Sequence, residues 1–131
     1  MPTRAFIDTE LVLLSKEEGG RSTPILPVAY GGGYRPHIVL QPRNTREAKI
    51  EMRDGLRCCV DPFVSVAFWS GDDPIPIGRP FKATLYLWNY PHEMYSGCVP
   101  GAAFTLREGA KIIGHGEITR LRLEDEEQKS A

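Results

Sequence analysis

Glycine and proline interrupt this chain so often that long helices have no room to form. Thirteen glycines and eleven prolines are spread over 131 residues. Proline removes a backbone donor from a helix, and glycine loses more conformational freedom on folding than any other residue. The segments between these residues are short, so the pattern predicts strands and turns instead of helices.

Apolar and polar residues alternate with period two in those short segments. In residues 7–13, Ile7, Leu11 and Leu13 fall on one face of an extended chain, while two carboxylates fall on the other. Similar runs predict strands near residues 37–40, 64–68, 81–88, 104–107 and 111–123. About six short strands with polar turns predict an all-β chain, either an antiparallel barrel or a sandwich.

Two segments fall outside this pattern. Residues 42–59 hold a short strand at Lys49–Met52 or form one long loop, and the sequence leaves both open. Residues 124–131 begin with four carboxylates, which predicts a flexible acidic tail. No repeat or change in composition divides the chain, so residues 1–131 are expected to form a single domain.

The charge balance and the cysteines limit the class of protein. A net charge of −1 gives no support for an obligate polyanion binder, although residues 35–57 have an excess of basic side chains. No apolar run approaches the roughly 20 residues that cross a bilayer, and the first ten residues lack a signal-peptide pattern. We therefore expect a cytoplasmic protein with no membrane partner. The three cysteines match no disulfide or zinc pattern and are expected to be reduced.

No pattern of catalytic or cofactor-binding residues is present. His37, His92 and His115 show no metal-ligand spacing, and no serine lies in a G-x-S-x-G context. Cys98 has no neighbouring base that would activate its thiol. The three glycines at 31–33 lead into Tyr-Arg-Pro instead of the Lys-Ser/Thr of a phosphate-binding loop. We expect no enzyme activity, cofactor, metal or nucleotide.

Three motifs stand out in the sequence. Residues 13–24 read L-L-S-K-E-E-G-G-R-S-T-P, residues 33–36 read G-Y-R-P, and residues 104–109 read F-T-L-R-E-G. They resemble the C-terminal (third) domain of translation elongation factor Tu, whose patterns are L-S-K-D/E-E-G-G-R-x-T-P, G-Y-R-P and an F-x-I/L-R-E-G hairpin. Gly114 and Gly116 fall where the family's last strand has paired glycines, and such glycines predict a bulge or a close backbone approach. The resemblance implies a six-stranded antiparallel closed β-barrel of the elongation factor Tu C-terminal domain type.

The resemblance also implies a nucleic-acid surface. In the family the R-E-G hairpin touches the T-stem of aminoacyl-tRNA, and a second contact comes from a loop that a longer, more basic segment replaces here. The residues expected to contact nucleic acid are Arg107, Glu108, Gly109, His37, Arg43 and Arg46. Phosphate contacts from the basic segment would make such binding depend steeply on salt.

A second implied surface is the glycine-rich loop of the first motif, which in the family lies towards the GTPase domain. Arg21 is expected to pair there with a carboxylate or carbonyl of a partner. The expected partner interface comprises Gly19, Gly20, Arg21, Thr23, Tyr34 and Arg35. Surface that the family covers with other domains is free in a lone barrel, so a homodimer is also expected as an alternative.

Two functions stay open at this point. One is a non-catalytic binding module that docks a protein or a tRNA-like partner connected with translation. The other is a purely protein-binding or self-associating scaffold with no RNA role. The aromatic segment 88–95 is either an exposed recognition loop or a cap on one end of the barrel.

Overall fold

The structure is a computed structural model that describes residues 3–125. Nine strands and three short 3-10 turns, but no α-helix, occur within these residues. The strands are β1 (Thr3–Leu13), β2 (His37–Leu40), β3 (Ile50–Arg53), β4 (Leu56–Cys59), β5 (Val64–Ser65), β6 (Ala67–Gly71), β7 (Phe81–Tyr86), β8 (Ala103–Glu108) and β9 (Lys111–Asp125). The 3-10 turns are Lys16–Glu18, Pro27–Ala29 and Glu93–Tyr95. The prediction of an all-β chain is confirmed.

Seven strands form one curled sheet in the order β5-β2-β8-β9-β1-β7-β6, and β3 and β4 form a separate ribbon. All neighbouring strands are antiparallel. The prediction of a closed six-stranded barrel is wrong, because the main sheet has seven strands and two ends. The extra strand arises at Val66, where the run predicted as one strand divides into β5 and β6. Alternation alone predicts that Val64, Val66 and Phe68 face the core, which they do, but not that the strand changes neighbours between them.

The core lies against the concave side of the sheet. On β1, Ile7, Leu11 and Leu13 are buried there, as the sequence pattern predicts, and Ala5 is buried with them. Full burial of a large apolar side chain contributes about 1.5–3 kcal/mol to stability. Gly116 permits the close approach of β9 to β1, since a Cβ atom there would lie 2.5 Å from the carbonyl oxygen of residue 10.

The ribbon of β3 and β4 decides between the strand and the long loop that the sequence left open for residues 42–59. The strand expected at Lys49–Met52 is present as β3, and it pairs with β4, which the sequence pattern does not reveal. Asp54 and Gly55 join the two strands with φ angles of 51° and 78°. Two consecutive residues with positive φ match the twist of a two-residue hairpin turn. All four residues of β3 are exposed, so the ribbon stands away from the core.

The first two residues of the predicted acidic tail, residues 124–131, lie in strand β9. Glu124 and Asp125 are the last residues of β9, where they pair with Arg4 and Thr3 of β1. These two residues are therefore part of the sheet instead of a flexible tail. Residues 126–131 lie outside the described residues.

Candidate functional site

Local interactions determine the shape of the loop between β1 and Pro24. The Ser15 hydroxyl accepts a hydrogen bond from the N–H of Glu18, and the Glu18 carboxylate accepts one from the N–H of Ser15. This reciprocal pair caps the 3-10 turn. Gly19 has a φ of 94°, and a Cβ atom on Gly20 would lie 2.0 Å from the Leu14 carbonyl oxygen. The two glycines are thus required by the backbone, whatever the loop binds.

Three side chains from the two predicted surfaces meet next to this loop. The Arg21 guanidinium forms an ion pair with Glu108, and the Tyr34 hydroxyl donates a hydrogen bond to the same carboxylate. Arg21 also lies over the Tyr34 ring, 5.6 Å from its centroid, and its Nε donates to the carbonyl of Thr23. We call Arg21, Tyr34 and Glu108 the polar cluster. The sequence assigned Glu108 to RNA and the other two to a partner, but the structure unites them.

The polar cluster is electrostatically matched. Burial, together with the hydrogen bond to Glu108, raises the pKa of Tyr34 far above its ordinary value, so this hydroxyl stays a donor. Burial alone would lower the pKa of Arg21, but the Glu108 carboxylate outweighs this effect and raises it. The Glu108 carboxylate therefore meets one guanidinium cation and one neutral hydroxyl donor.

Exposed apolar side chains border the polar cluster. Val28, on the 3-10 turn Pro27–Ala29, exposes 82% of its surface, and Leu26 and Ile77 are also exposed. We call Leu26, Val28 and Ile77 the apolar patch. A groove of about 470 Å³ runs between Leu26 and Val28 on one side and Arg21 and Tyr34 on the other. An apolar centre with a polar rim is the usual composition of a protein interface.

Sequence reasoning missed the apolar patch. Residues 25–28 read I-L-P-V, and the proline signals a loop, but nothing in the pattern shows which side chains point outwards. In the structure Ile25 is buried in the core while Leu26 and Val28 are exposed. Two apolar residues retained in a loop beside a proline are the signal that could have indicated this surface.

Arg107, the main residue expected to contact RNA, has no accessible surface. Its guanidinium donates to Asp61 at 3.0 Å, to the Gln41 side chain at 2.8 Å and to the Thr105 hydroxyl at 3.0 Å. It also lies over the Phe63 ring. A guanidinium enclosed in this way cannot reach a phosphate unless the network opens. The structure thus gives Arg107 a structural position and not a contact position.

The other residues expected to contact nucleic acid also have partners within the chain. Arg43 donates through Nε to Nδ1 of His115 at 3.1 Å, and Arg46 donates to the carbonyl of Arg43 at 2.6 Å. Burial first, and then the charges of these two arginines, lower the pKa of His115. His37 is half-buried against the Phe63 ring.

Gly109 has a φ of 60° and forms the turn between β8 and β9. The hairpin expected there is confirmed, while its contact with RNA stays a prediction. Arg35, which the sequence placed in the partner interface, turns towards a different region from Tyr34. Its guanidinium lies over the Trp88 ring at 5.5 Å and donates to the carbonyl of Gly32.

The aromatic segment 88–95, predicted to be either an exposed loop or a cap on the barrel, is exposed at one end and buried at the other. Trp88 is partly exposed, whereas Tyr95 is buried and donates from its hydroxyl to the Ser65 carbonyl at 2.7 Å.

No protein-family model matches this chain. Within residues 3–125, no group of three or more histidine, cysteine or acidic side chains is arranged to hold a metal ion. The same residues contain no helix long and apolar enough to cross a membrane. The site is therefore characterised by its own geometry, a polar cluster beside an apolar patch.

Proposed function

We propose that the chain is a non-catalytic protein-binding module, similar to the third domain of elongation factor Tu, that acts in the cytoplasm. The observation that carries the proposal is the position of the apolar patch directly beside the polar cluster. The partner presents an apolar surface to Leu26 and Val28, with polar groups that meet Arg21 and Glu108 at the rim. Translation is the setting that the resemblance suggests for this partner.

The curvature of the sheet supports a barrel of the elongation factor Tu type. The two end strands, β5 and β6, are separated by Val66 alone. Two backbone hydrogen bonds join this region to the segment before β2, from the N–H of Val66 to Pro36 and from the N–H of Phe68 to Tyr34. The G-Y-R-P motif thus lies where the two ends of the sheet approach each other, which supports the proposed barrel.

The contacts of the basic residues favour a protein partner over RNA. RNA affinity comes largely from cations that are free to neutralise phosphates. Here Arg107 is enclosed and Arg21 is neutralised by Glu108, so two of the arginines nearest the predicted tRNA surface are already paired. Binding of tRNA is therefore an outcome for the experiment and not part of the proposal.

The experiment compares captures from a cell extract by the tagged wild type, Val28→Asp and Val99→Asp. Val99 is also an exposed valine but lies outside the apolar patch, so it controls for the general effect of a new surface charge. A carboxylate at the centre of an apolar interface is expected to reduce the captured amount of a specific partner at least about tenfold. Circular dichroism of each variant verifies that it is folded.

Three outcomes separate the alternatives. A protein that is lost with Val28→Asp and retained with Val99→Asp supports the proposal and identifies the partner. A set of captured proteins that is the same for all three baits overturns it. RNA that is captured equally by all three baits, and released by moderate salt, overturns it in favour of nucleic-acid binding.

A further inference from the structure

Strand β9 is much longer than the strand beside it. It pairs with β1 from Gly114 to Asp125, but with β8 only as far as Glu117. The backbone of the segment before β8 extends this pairing by one residue, to Ile118. Within the described residues, no strand lies beside residues 119–124 on the β8 side. We call these residues of β9 the free edge.

The hydrogen bonds of Ile118 show which backbone groups point towards the free edge. Its N–H donates to the carbonyl of Ala102 at 2.8 Å, and its carbonyl accepts from the N–H of Gly101 at 2.7 Å. Both groups therefore point to the β8 side and away from β1. Across the ladder Ile118 is opposite Thr9 of β1. A residue opposite Thr9 is thus not hydrogen bonded to β1.

In an antiparallel pair this arrangement repeats at every second residue. Leu121 and Leu123 lie opposite Ile7 and Ala5, which are two and four residues from Thr9 along β1. The bulge beside Thr9 shifts the numbering on β9 but not the alternation along β1. The N–H and carbonyl groups of Leu121 and Leu123 therefore point to the free edge, and no strand within residues 3–125 pairs with them there. Such an edge is able to pair with another strand.

The side chains of the free edge alternate between apolar and charged. Leu121 and Leu123 are on the core-facing side of the sheet, yet they expose 38% and 54% of their surface because β8 ends before it reaches them. Arg120, Arg122 and Glu124 are on the opposite side. Proteins protect edges from pairing by means of charged side chains, especially lysine, by proline, or by a helix or loop that covers the edge. This edge carries charges of both signs, but also two exposed leucines.

We propose that the free edge pairs with the free edge of a second copy of this chain, antiparallel, with the two-fold axis at Arg122. In this register Leu121 is opposite Leu123 of the second copy, so the exposed leucines cover one another. Arg120 is opposite Glu124 of the second copy, which places two opposite-charge pairs across the interface. The curled sheets of the two copies then form one continuous sheet through β9.

Charge and polarity favour this register over the two registers in which the axis lies one residue away. An axis at Leu121 would place Arg120 opposite Arg122, and like charges directly opposite each other are destabilising. An axis at Leu123 would place Leu121 opposite Asp125, which leaves an apolar side chain against a carboxylate. With the axis at Arg122, one arginine pair faces across the interface instead of two, and each of its guanidiniums is already paired with Asp8 at 3.1 Å and Glu124 at 2.7 Å.

Sedimentation of the full chain tests the proposal with charge reversals. Arg120→Glu and Glu124→Arg each convert two attractive pairs of the dimer into repulsive ones, so each is expected to raise the dimer Kd at least about tenfold. The double variant restores opposite charges at both positions, and its Kd is expected to return to within about threefold of the wild-type value. Recovery in the double variant is specific to this register.

A proline variant tests the backbone pairing independently. The N–H of Leu123 points to the free edge, so Leu123→Pro removes a donor that the monomer does not use for β1. We expect this variant to keep the circular dichroism of the wild type and to sediment as a monomer. Val28→Asp is expected to remain a dimer, which separates this surface from the apolar patch.

The other outcomes overturn the proposal. A wild type that sediments as a monomer at every accessible concentration refutes the dimer. A dimer that tolerates Leu123→Pro uses another surface. A double charge reversal that stays as weak as the single ones refutes the register.

Discussion

Replacing Asp61 with asparagine removes one charge from a buried ion pair without changing the size of the side chain. Asp61 exposes only 8% of its side chain and lies 3.0 Å from the fully buried guanidinium of Arg107. In Asp61→Asn the guanidinium keeps its positive charge and loses its only carboxylate partner within the described residues. The Gln41 side chain and the Thr105 hydroxyl still accept from it.

The expected loss follows from the burial of the remaining charge. Removal of one member of a buried ion pair lowers the free energy of unfolding by about 3–5 kcal/mol. Because Gln41 remains as an acceptor 2.8 Å from the guanidinium, we expect the lower end, about 3 kcal/mol. With an m-value of about 2 kcal/mol/M, the urea midpoint would fall by about 1.5 M.

Urea unfolding followed by tryptophan fluorescence measures this loss, with Asp73→Asn as the control. Asp73 is exposed, so its substitution is expected to change stability by less than about 0.5 kcal/mol. The double variant Asp61→Asn with Arg107→Met is expected to be more stable than Asp61→Asn alone, because it no longer contains the unpaired guanidinium. An Asp61→Asn protein within about 0.5 kcal/mol of the wild type would refute the argument.

The pH dependence supplies a second measurement on the same pair. Burial opposes the ionisation of Asp61, but the N–H of Lys49 and the guanidinium of Arg107 outweigh it and lower the pKa of this carboxyl. Its stabilising contribution is therefore complete above the unfolded pKa of about 3.9 and is lost as the pH falls through the lower folded value. The stability difference between wild type and Asp61→Asn should stay constant from neutral pH to about pH 5 and shrink at more acidic pH.

Two further predictions concern the backbone and the thiols. Gly20→Ala is expected to lower the free energy of unfolding by more than about 2 kcal/mol, because its Cβ would lie 2.0 Å from the Leu14 carbonyl oxygen. At Gly19 φ is 94° but the surrounding space is open, so Gly19→Ala should lower the free energy of unfolding by only about 1 kcal/mol. Equal losses for the two variants in urea unfolding would contradict this reasoning. Cys98 is buried, which raises the pKa of its thiol to about 11. A disulfide reagent at pH 8 should therefore modify Cys58 and Cys59 in the native protein and reach Cys98 only after unfolding; reaction of all three thiols at one rate would contradict this.

Alternation along the chain predicted the strands because one face of each strand is in the core. It could not predict what covers the other face. On β8, period two places Phe104 and Leu106 in the core and Thr105 and Arg107 outside. All four are buried, and on the outer face of β8 the Arg107 guanidinium is in contact with Gln41, Asp61 and Phe63. That contact joins residues 46 positions apart, which no local pattern reveals.

Local sequence patterns were likewise not enough to predict the contacts in the candidate site. Arg21, Tyr34 and Glu108 were each singled out from motifs, but for two different partners. Their separations along the chain, 87 positions between Arg21 and Glu108, hid the fact that one carboxylate serves both other groups. The apolar patch was missed because exposure depends on where the 3-10 turn directs each side chain, and a three-residue turn has no readable period.

One carboxylate connects the ribbon with Arg107, the main residue predicted to contact RNA. Asp61 accepts hydrogen bonds from the N–H of Lys49, just before β3, and from the thiol of Cys59, at the end of β4. It also holds Arg107. Both ends of the ribbon and the arginine of the R-E-G motif are thus bonded to the same carboxylate, so any movement that frees Arg107 for a phosphate must break the buried ion pair with Asp61. Separation of that buried ion pair makes RNA binding by Arg107 costly. The apolar patch and the free edge, in contrast, are exposed without rearrangement, and both of them suit a protein.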